Sequence, residues 1–349
     1  MSLLRRDRMT KDERMVALLN RERLDRVPVW GSVLGFSAVN VGYSVADIYS
    51  NAQRTFEAMS WTSEEYGFQD IPVVFWAPSA GKANLPTSEY SQAPSATTFA
   101  VTTEEEAWNL KLPDVSRETG RPPMQCAEMV LREGGPFVNF ILMTFNAAAG
   151  LCGMDQLCRW MIKRPEVVHR LLRFATDRTI ERARFWVETY GPERLMPYTA
   201  EPTTSNQLIS PKHFEEFAFP YIKESHEAVL DMGVKHILCH ICGEQNLNLP
   251  FWAQIPMGDP GIVSFGHEVD LEVASKHFPN DVIMGNVEPA VIQSGPPERI
   301  YELAVSCIEK GRKHAGGFML APGCEMPPRA PSYNVWTMVK AVNDHGWYE

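Results

Sequence analysis

The 349 residues, 44% of them hydrophobic, suffice for one large domain or two ordinary ones with a substantial core. A formal net charge of −10, without a basic stripe, excludes a nucleic-acid partner, because phosphate binding needs clustered cations. Seven cysteines, an odd number, in a chain that reaches Lys11, Asp12 and Glu13 before any apolar run, point to a reducing cytoplasm and away from a secreted disulfide framework.

Thr10 and Glu13 make the pattern of a capping box, in which each side chain satisfies the other's backbone donor, and predict a helix to about Asn20. Apolar runs bounded by turn residues predict strands at Val27–Trp30 and Gly67–Val74. From about 76 to 125 the composition changes to Pro78, Pro86, Pro94, Pro113, Pro122 and Pro123, many Ser and Thr, and an acidic run at Glu104–Glu106. This reads as an excursion between the second and third strands, a lid or a surface loop, and not as a separate domain. Further strands are predicted at Phe137–Met143, Leu195–Thr199, Val234–His240, Gly261–Phe265, Val282–Asn286 and Phe318–Ala321. Helical periodicity covers about 164 to 190 and ends at Gly191; Ser210-Pro211 and Pro297 open two more helices. The most apolar stretch, Pro136 to Met154, contains Asn139, Thr144 and Asn146, which are costly in lipid, so it reads as a buried strand and its loop and not as a membrane span.

The eight runs are mostly continuous in apolar character, as in parallel strands covered on both faces, and helices separate most of them. The economical assignment is an α/β fold, a single (β/α)₈ TIM barrel spanning residues 1–349.

The strongest local signal is His240-Ile241-Cys242 at the end of the fifth predicted strand. Residues two apart on an extended chain project to one side, so an imidazole and a thiolate there can converge on one ion. Cys324 lies just past the eighth strand, in Leu320-Ala321-Pro322-Gly323-Cys324-Glu325. On a barrel all three reach the C-terminal rim, and three N/S ligands with an open fourth position suit catalytic zinc. Taken alone, each cysteine reads as a small buried hydrophobe; the joint placement favours metal. Cys239 and Cys242 also form a CxxC pair, but redox pairs usually open a helix, whereas on a strand these two face opposite sides.

Glu201, after the fourth strand, is a candidate fourth ligand or proton acceptor, and equally a solvated or helix-capping carboxylate. Asn286 ends the seventh strand, where its amide is a candidate for orienting substrate or simply a turn residue. His236 reads as a core histidine. Trp30, Phe36, Phe75, Trp76 and Tyr198 are candidates for an apolar substrate pocket, although aromatic residues near strand ends are more often core.

These residues resemble the uroporphyrinogen decarboxylase superfamily, in particular its zinc-dependent branch, that of the methylcobamide:coenzyme M methyltransferases. The resemblance is carried by Ala200-Glu201-Pro202, Leu208-Ile209-Ser210-Pro211, Phe214-Glu215-Glu216-Phe217, Pro220-Tyr221, His240-Ile241-Cys242-Gly243, Gly285-Asn286-Val287-Glu288-Pro289 and Ala321-Pro322-Gly323-Cys324-Glu325 with Pro327. It is specific after 195 and diffuse before 130. It implies a (β/α)₈ barrel, an HxC…C zinc site and a methyl group moved between a methylcorrinoid protein and a small thiol or methylated substrate. The superfamily's decarboxylase uses an arginine-bearing loop near its N-terminus for a polyanionic tetrapyrrole; here no Arg or Lys lies between Arg26 and Arg54. That argues against decarboxylation, which is kept as a rival expectation beside a barrel with structural zinc acting as a binding module. Where relatives commonly have Asp before the proline, this chain has Glu201. No DxHxxG corrinoid-binding motif is present, so a corrinoid (cobalamin) is expected on a partner protein.

Overall fold

The first predicted helix forms as its capping chemistry dictates. α1 (Lys11–Leu19) starts where the Thr10 hydroxyl accepts the Glu13 N–H and the Glu13 carboxylate accepts the Thr10 N–H. The computed structural model describes residues 5–75, 82–84 (backbone only) and 94–348. Within the proline-rich stretch, β1 (Lys82–Asn84) and β2 (Ser95–Thr98) pair antiparallel as a small hairpin. Pro78 and Pro86 of that stretch lie outside the described residues.

Six strands, β3 (Val138–Leu142), β4 (Leu195–Ala200), β5 (Leu238–Ile241), β6 (Ile262–Phe265), β7 (Val282–Val287) and β8 (Phe318–Pro322), form one parallel sheet in chain order. Helices connect them: α2 (Phe145–Cys152) and α3 (Pro165–Tyr190) lead from β3 to β4, and α4 (Pro297–Gly311) leads into β8. α3 ends at Gly191, and the Ser210 hydroxyl caps its helix by accepting the His213 N–H. This sequential parallel order with helical crossovers is TIM-barrel-like, with six strands in one regular sheet among the described residues. Among the described residues no helix is long and apolar enough to cross a membrane.

The first two predicted strands differ from the rest. Val29 makes one parallel bridge to Leu320 of β8, and the Gln69 N–H bonds the Val29 carbonyl at 2.8 Å, but neither segment builds a regular ladder. Pro28 and Pro72 remove the donors that a continuous ladder needs.

Strand side chains alternate between two surroundings. Met196, Leu238, Ile262, Met284 and Met319 point inward and pack with Trp30, while Cys239, Ile241, Val263, Ile283 and Leu320 face the outer helices. Met15, Leu18 and Leu19 of α1 belong to the inner cluster, and Arg21, two residues past α1, ion-pairs with Asp259 in the loop before β6. α1 therefore stops the N-terminal end of the strands, leaving the C-terminal rim for chemistry.

Candidate metal centre

On β5 the alternation places Leu238 and His240 inward and Cys239 outward. Cys242, one residue past the strand, continues the inward series and meets Cys324, which follows β8: their sulfurs stand 3.7 Å apart. Both are free cysteines, and the ligand atoms of His240, Cys242 and Cys324 all lie within 4.8 Å of one another. Two sulfurs each ~2.3 Å from a tetrahedral ion stand about 3.8 Å apart, so the pair has the spacing zinc requires.

His240 supplies the fit test. Its Nδ1 is 2.9 Å from the Ser264 hydroxyl, whereas its Nε2 is buried and without a hydrogen-bond partner. With Nδ1–H donating to Ser264, Nε2 carries a bare lone pair, the state of a metal-ready imidazole. The contact between the two sulfurs pushes the Cys324 thiol down and the Cys242 thiol up, with burial raising both. Two thiols in contact beside an imidazole are a donor set that releases protons to a cation. Cys239 does not take part: it is fully buried among outer apolar side chains, and burial drives its thiol pKa up. A Cys239–Cys242 redox pair is therefore not assembled.

The loops that carry the cluster are pressed together. A Cβ on Gly266, after β6, would lie 2.7 Å from the Gly243 backbone, and one on Gly323 would lie 2.7 Å from the His267 nitrogen. Only glycine permits that approach. Asn286 works in the same place. Its amide Nδ2 donates to the carbonyls of Gly266 (2.9 Å) and Val269 (2.7 Å), while Cys307 offers its S–H to Oδ1. Its donor is committed to pinning the loop beside the cluster, so the structure gives it a positioning task.

Glu201 stands outside the three-ligand cluster. In the parallel register Ala200 is beside His240, so Glu201 follows Ile241 to the other side of the wall. There its carboxylate accepts the backbone N–H groups of Thr144 (2.6 Å) and Asn146 (2.5 Å) and the Thr144 hydroxyl (3.2 Å), at the N-terminus of α2. Burial nonetheless pushes its pKa up to about 7.

The aromatic candidates divide. The Phe75 and Tyr198 rings meet edge to face at 5.5 Å, and Trp30 lies in the same inner cluster as Tyr198. Tyr198 is raised in pKa by burial and then by the nearby sulfurs of Cys324 and Cys242, which places it beside the ligands. Phe36 instead packs against Tyr66 at 5.9 Å in the outer core. Trp76 lies outside the described residues. His236 bonds the Pro260 carbonyl at 2.8 Å, consistent with a core histidine.

Three residues were missed. Ser264 was findable, because β5 and β6 pair His240 with Ser264 side by side, and a lone polar residue in Ile262–Phe265 marks that spot. Glu325, half-buried, accepts the Gly35 N–H (3.0 Å) and the Tyr49 hydroxyl (3.3 Å), and withdrawal from water pushes it up to about 7. Asp70 accepts the N–H groups of Gly31 (2.5 Å) and Val33 (3.1 Å), and burial raises it to about 6. Both carboxylates clamp the turn after Trp30, a long-range role with no local signal.

Comparison with known proteins follows the same lines. A family profile described as Uroporphyrinogen decarboxylase (URO-D) matches residues 10–345. The methylcobamide:CoM methyltransferase MtbA of Methanosarcina acetivorans is 25% identical over 96% of this chain and 98% of its own length. A methylated-thiol–coenzyme M methyltransferase of Methanosarcina mazei is 27% identical over 66% of this chain and 61% of its own. A solved methyltransferase structure from Methanosarcina mazei superposes with a TM-score of 0.79 at 22% identity, covering 96% of this chain and 99% of that one, and so shares the fold.

Proposed function

Because the chain belongs to the uroporphyrinogen decarboxylase family, we propose that it holds one zinc ion with His240, Cys242 and Cys324 and moves a methyl group between a corrinoid on a partner protein and a small thiol or methylated substrate. It is an enzyme of methyl transfer, as are the relatives that match it along nearly its whole length. The observation that carries the zinc reading is the buried, unpartnered Nε2 of His240 beside two sulfurs 3.7 Å apart.

Zinc in that position supplies a Lewis-acid site that lowers the pKa of a thiol, so that thiolate is available at neutral pH. The chain's own residues prepare this. Ser264 fixes the rotation and tautomer of the His240 imidazole, so its lone pair needs no reorganisation to bind. Cys242 and Cys324 already stand with their sulfurs 3.7 Å apart, so the two thiolates need no rearrangement to meet one ion. Tyr198 sets a half-buried ring near the sulfurs, and the water it displaces there strengthens charge interactions at the site. Asn286 and the close approach of the Gly243 and Gly266 loops keep the ligand-bearing segments in register.

The test is a panel of thiols with methylcobalamin and the zinc-loaded protein, following the cobalt absorbance change. At least one thiol should be methylated, and Cys324→Ser should abolish both bound zinc and the change. Failure of every thiol, with every methylated donor also inert toward reduced cobalamin, would overturn the reading.

A further inference from the structure

A cavity of about 660 Å³ opens on the same rim over the ends of β3 and β4, away from the metal ligands. α3 presents to it one face, Ala175, Arg178, Thr179 and Arg182, at i, i+3, i+4 and i+7. The floor is α2, where Gly150 sits in mid-helix and a Cβ added to it meets nothing within 4 Å. A helix-interior glycine costs about 1 kcal/mol relative to alanine, and here no packing neighbour requires it. The space it leaves belongs to the cavity.

The cavity's charges are not balanced. Four arginines line it, Arg117, Arg121, Arg178 and Arg182, against the carboxylates of Asp114, Glu118 and Glu181. Asp114 is used locally, accepting the Ser116 N–H, and Glu118 is taken by Arg182 at 3.1 Å and by Arg121 at 3.7 Å. Arg182 is further fixed by donating to the Ile141 carbonyl at 2.8 Å. Arg178 has no hydrogen bond or ion pair among the described residues. It is partly buried, and burial and then Arg182 and Arg121 work against its charge, outweighing the support of the nearby Glu118 carboxylate. A guanidinium partly withdrawn from water beside two like charges is unfavourable unless something anionic completes it. Asn146, also on the wall, spends its Nδ2 donor on the weakly accepting Met143 sulfur at 3.3 Å, leaving a second donor for an oxygen ligand. Phe75 lines the cavity while meeting Tyr198, which connects it to the neighbourhood of the cluster.

We propose that this cavity binds the anionic group of a small ligand, a carboxylate, sulfonate or phosphate, with Arg178 as its principal cation. Planar bidentate recognition of an oxyanion is the chemistry a guanidinium performs best. The site stands independently of the metal reading, since anion binding is measured without turnover.

The test uses the full-length protein as purified and calorimetric titration at low ionic strength with acetate, methanesulfonate, sulfate and inorganic phosphate, chloride serving as the control. At least one oxyanion should bind with a stoichiometry of one, and the best probe identifies the class. Arg178→Gln should weaken that binding roughly 10- to 100-fold, Arg178→Lys less, and Gly150→Leu should block it by filling the space. Arg132→Gln, on an exposed ion pair with Glu128 at 3.3 Å, should leave it unchanged. Thermal unfolding separates this role from a structural one: without ligand, Arg178→Gln should melt at the wild-type temperature or higher. No oxyanion binding by the wild type at millimolar concentration, equal affinity in Arg178→Gln, or a lower melting temperature for that variant would each overturn the proposal.

Discussion

The rim over β5–β8 and the rim over β3–β4 solve opposite problems. In the first, loops touch backbone to backbone at Gly243 and Gly266, and the His240 imidazole has its Nδ1 satisfied and only Nε2 left bare. In the second, Gly150 looks onto open space and Arg178 has no hydrogen bond or ion pair among the described residues. Tightness fixes a ligand set whose geometry must hold to a few tenths of an ångström, whereas looseness leaves room for a molecule that comes and goes.

The largest effect that breaks this contrast is removal of a sulfur from the tight side. Cys242→Ser or Cys324→Ser should lower zinc affinity at least about 100-fold, leaving the purified protein nearly metal-free by elemental analysis. Cys239→Ser, one position from His240 and facing the other way, should keep its zinc. Equal loss in all three would sink the two-sided strand argument.

Next in size is Glu201, whose carboxyl burial pushes up to about 7 in the fold from an ordinary 4.5. A raised carboxyl pKa means the native state holds the extra proton, so stability is fully present below about pH 4.5 and falls as pH rises through 7, by about 3 kcal/mol at most. Urea denaturation from pH 4.5 to 8 should show a shallower decline in Glu201→Gln. The slope that remains belongs to other raised carboxyls such as Asp70 and Glu325, with the same sign. An unchanged slope would mean that Glu201 ionises normally.

Two glycines then report on the two sides directly. Gly266→Ala drives a methyl into the Gly243 backbone and should cost about 1–3 kcal/mol, together with zinc affinity. Ser264→Ala should reduce zinc affinity roughly 10-fold by freeing the imidazole, without unfolding the protein. The smallest effect has the opposite sign: Gly150→Ala meets no neighbour and should stabilise by about 0.5–1 kcal/mol in the same denaturation assay. A destabilised Gly150→Ala would show that the α2 floor is packed after all.

What could be read from the sequence was whatever depends on near neighbours along the chain. The two-residue period of a strand sends His240 and Cys242 together and Cys239 away, and the capping pairs Thr10/Glu13 and Ser210/His213 start their helices where the residue types demand. Strand order followed from alternating apolar runs and helices. Glu201 and Asn286 were legible as rim residues but not as to task, because their partners are backbone groups brought close by folding: Thr144 and Asn146 for one, Gly266 and Val269 for the other. The same applies to Arg178, whose helical spacing marks a face but cannot say that the space beyond it is a cavity. Val27–Trp30 and Gly67–Val74 have the composition of strands, but Pro28 and Pro72 deny them the donors for a ladder.

The helix that stops the lower end of the strands also governs traffic. Met15, Leu18 and Leu19 fill the space beneath the inner methionines, so among the described residues the sulfurs are approached from the mouth at the C-terminal rim. A macromolecule resting on that mouth seals in whatever lies below it. For the partner proposed above, turnover would be a queue: the small reactant would enter before the partner docks, its product would leave only after the partner lifts, and an excess of partner would inhibit by arriving too early.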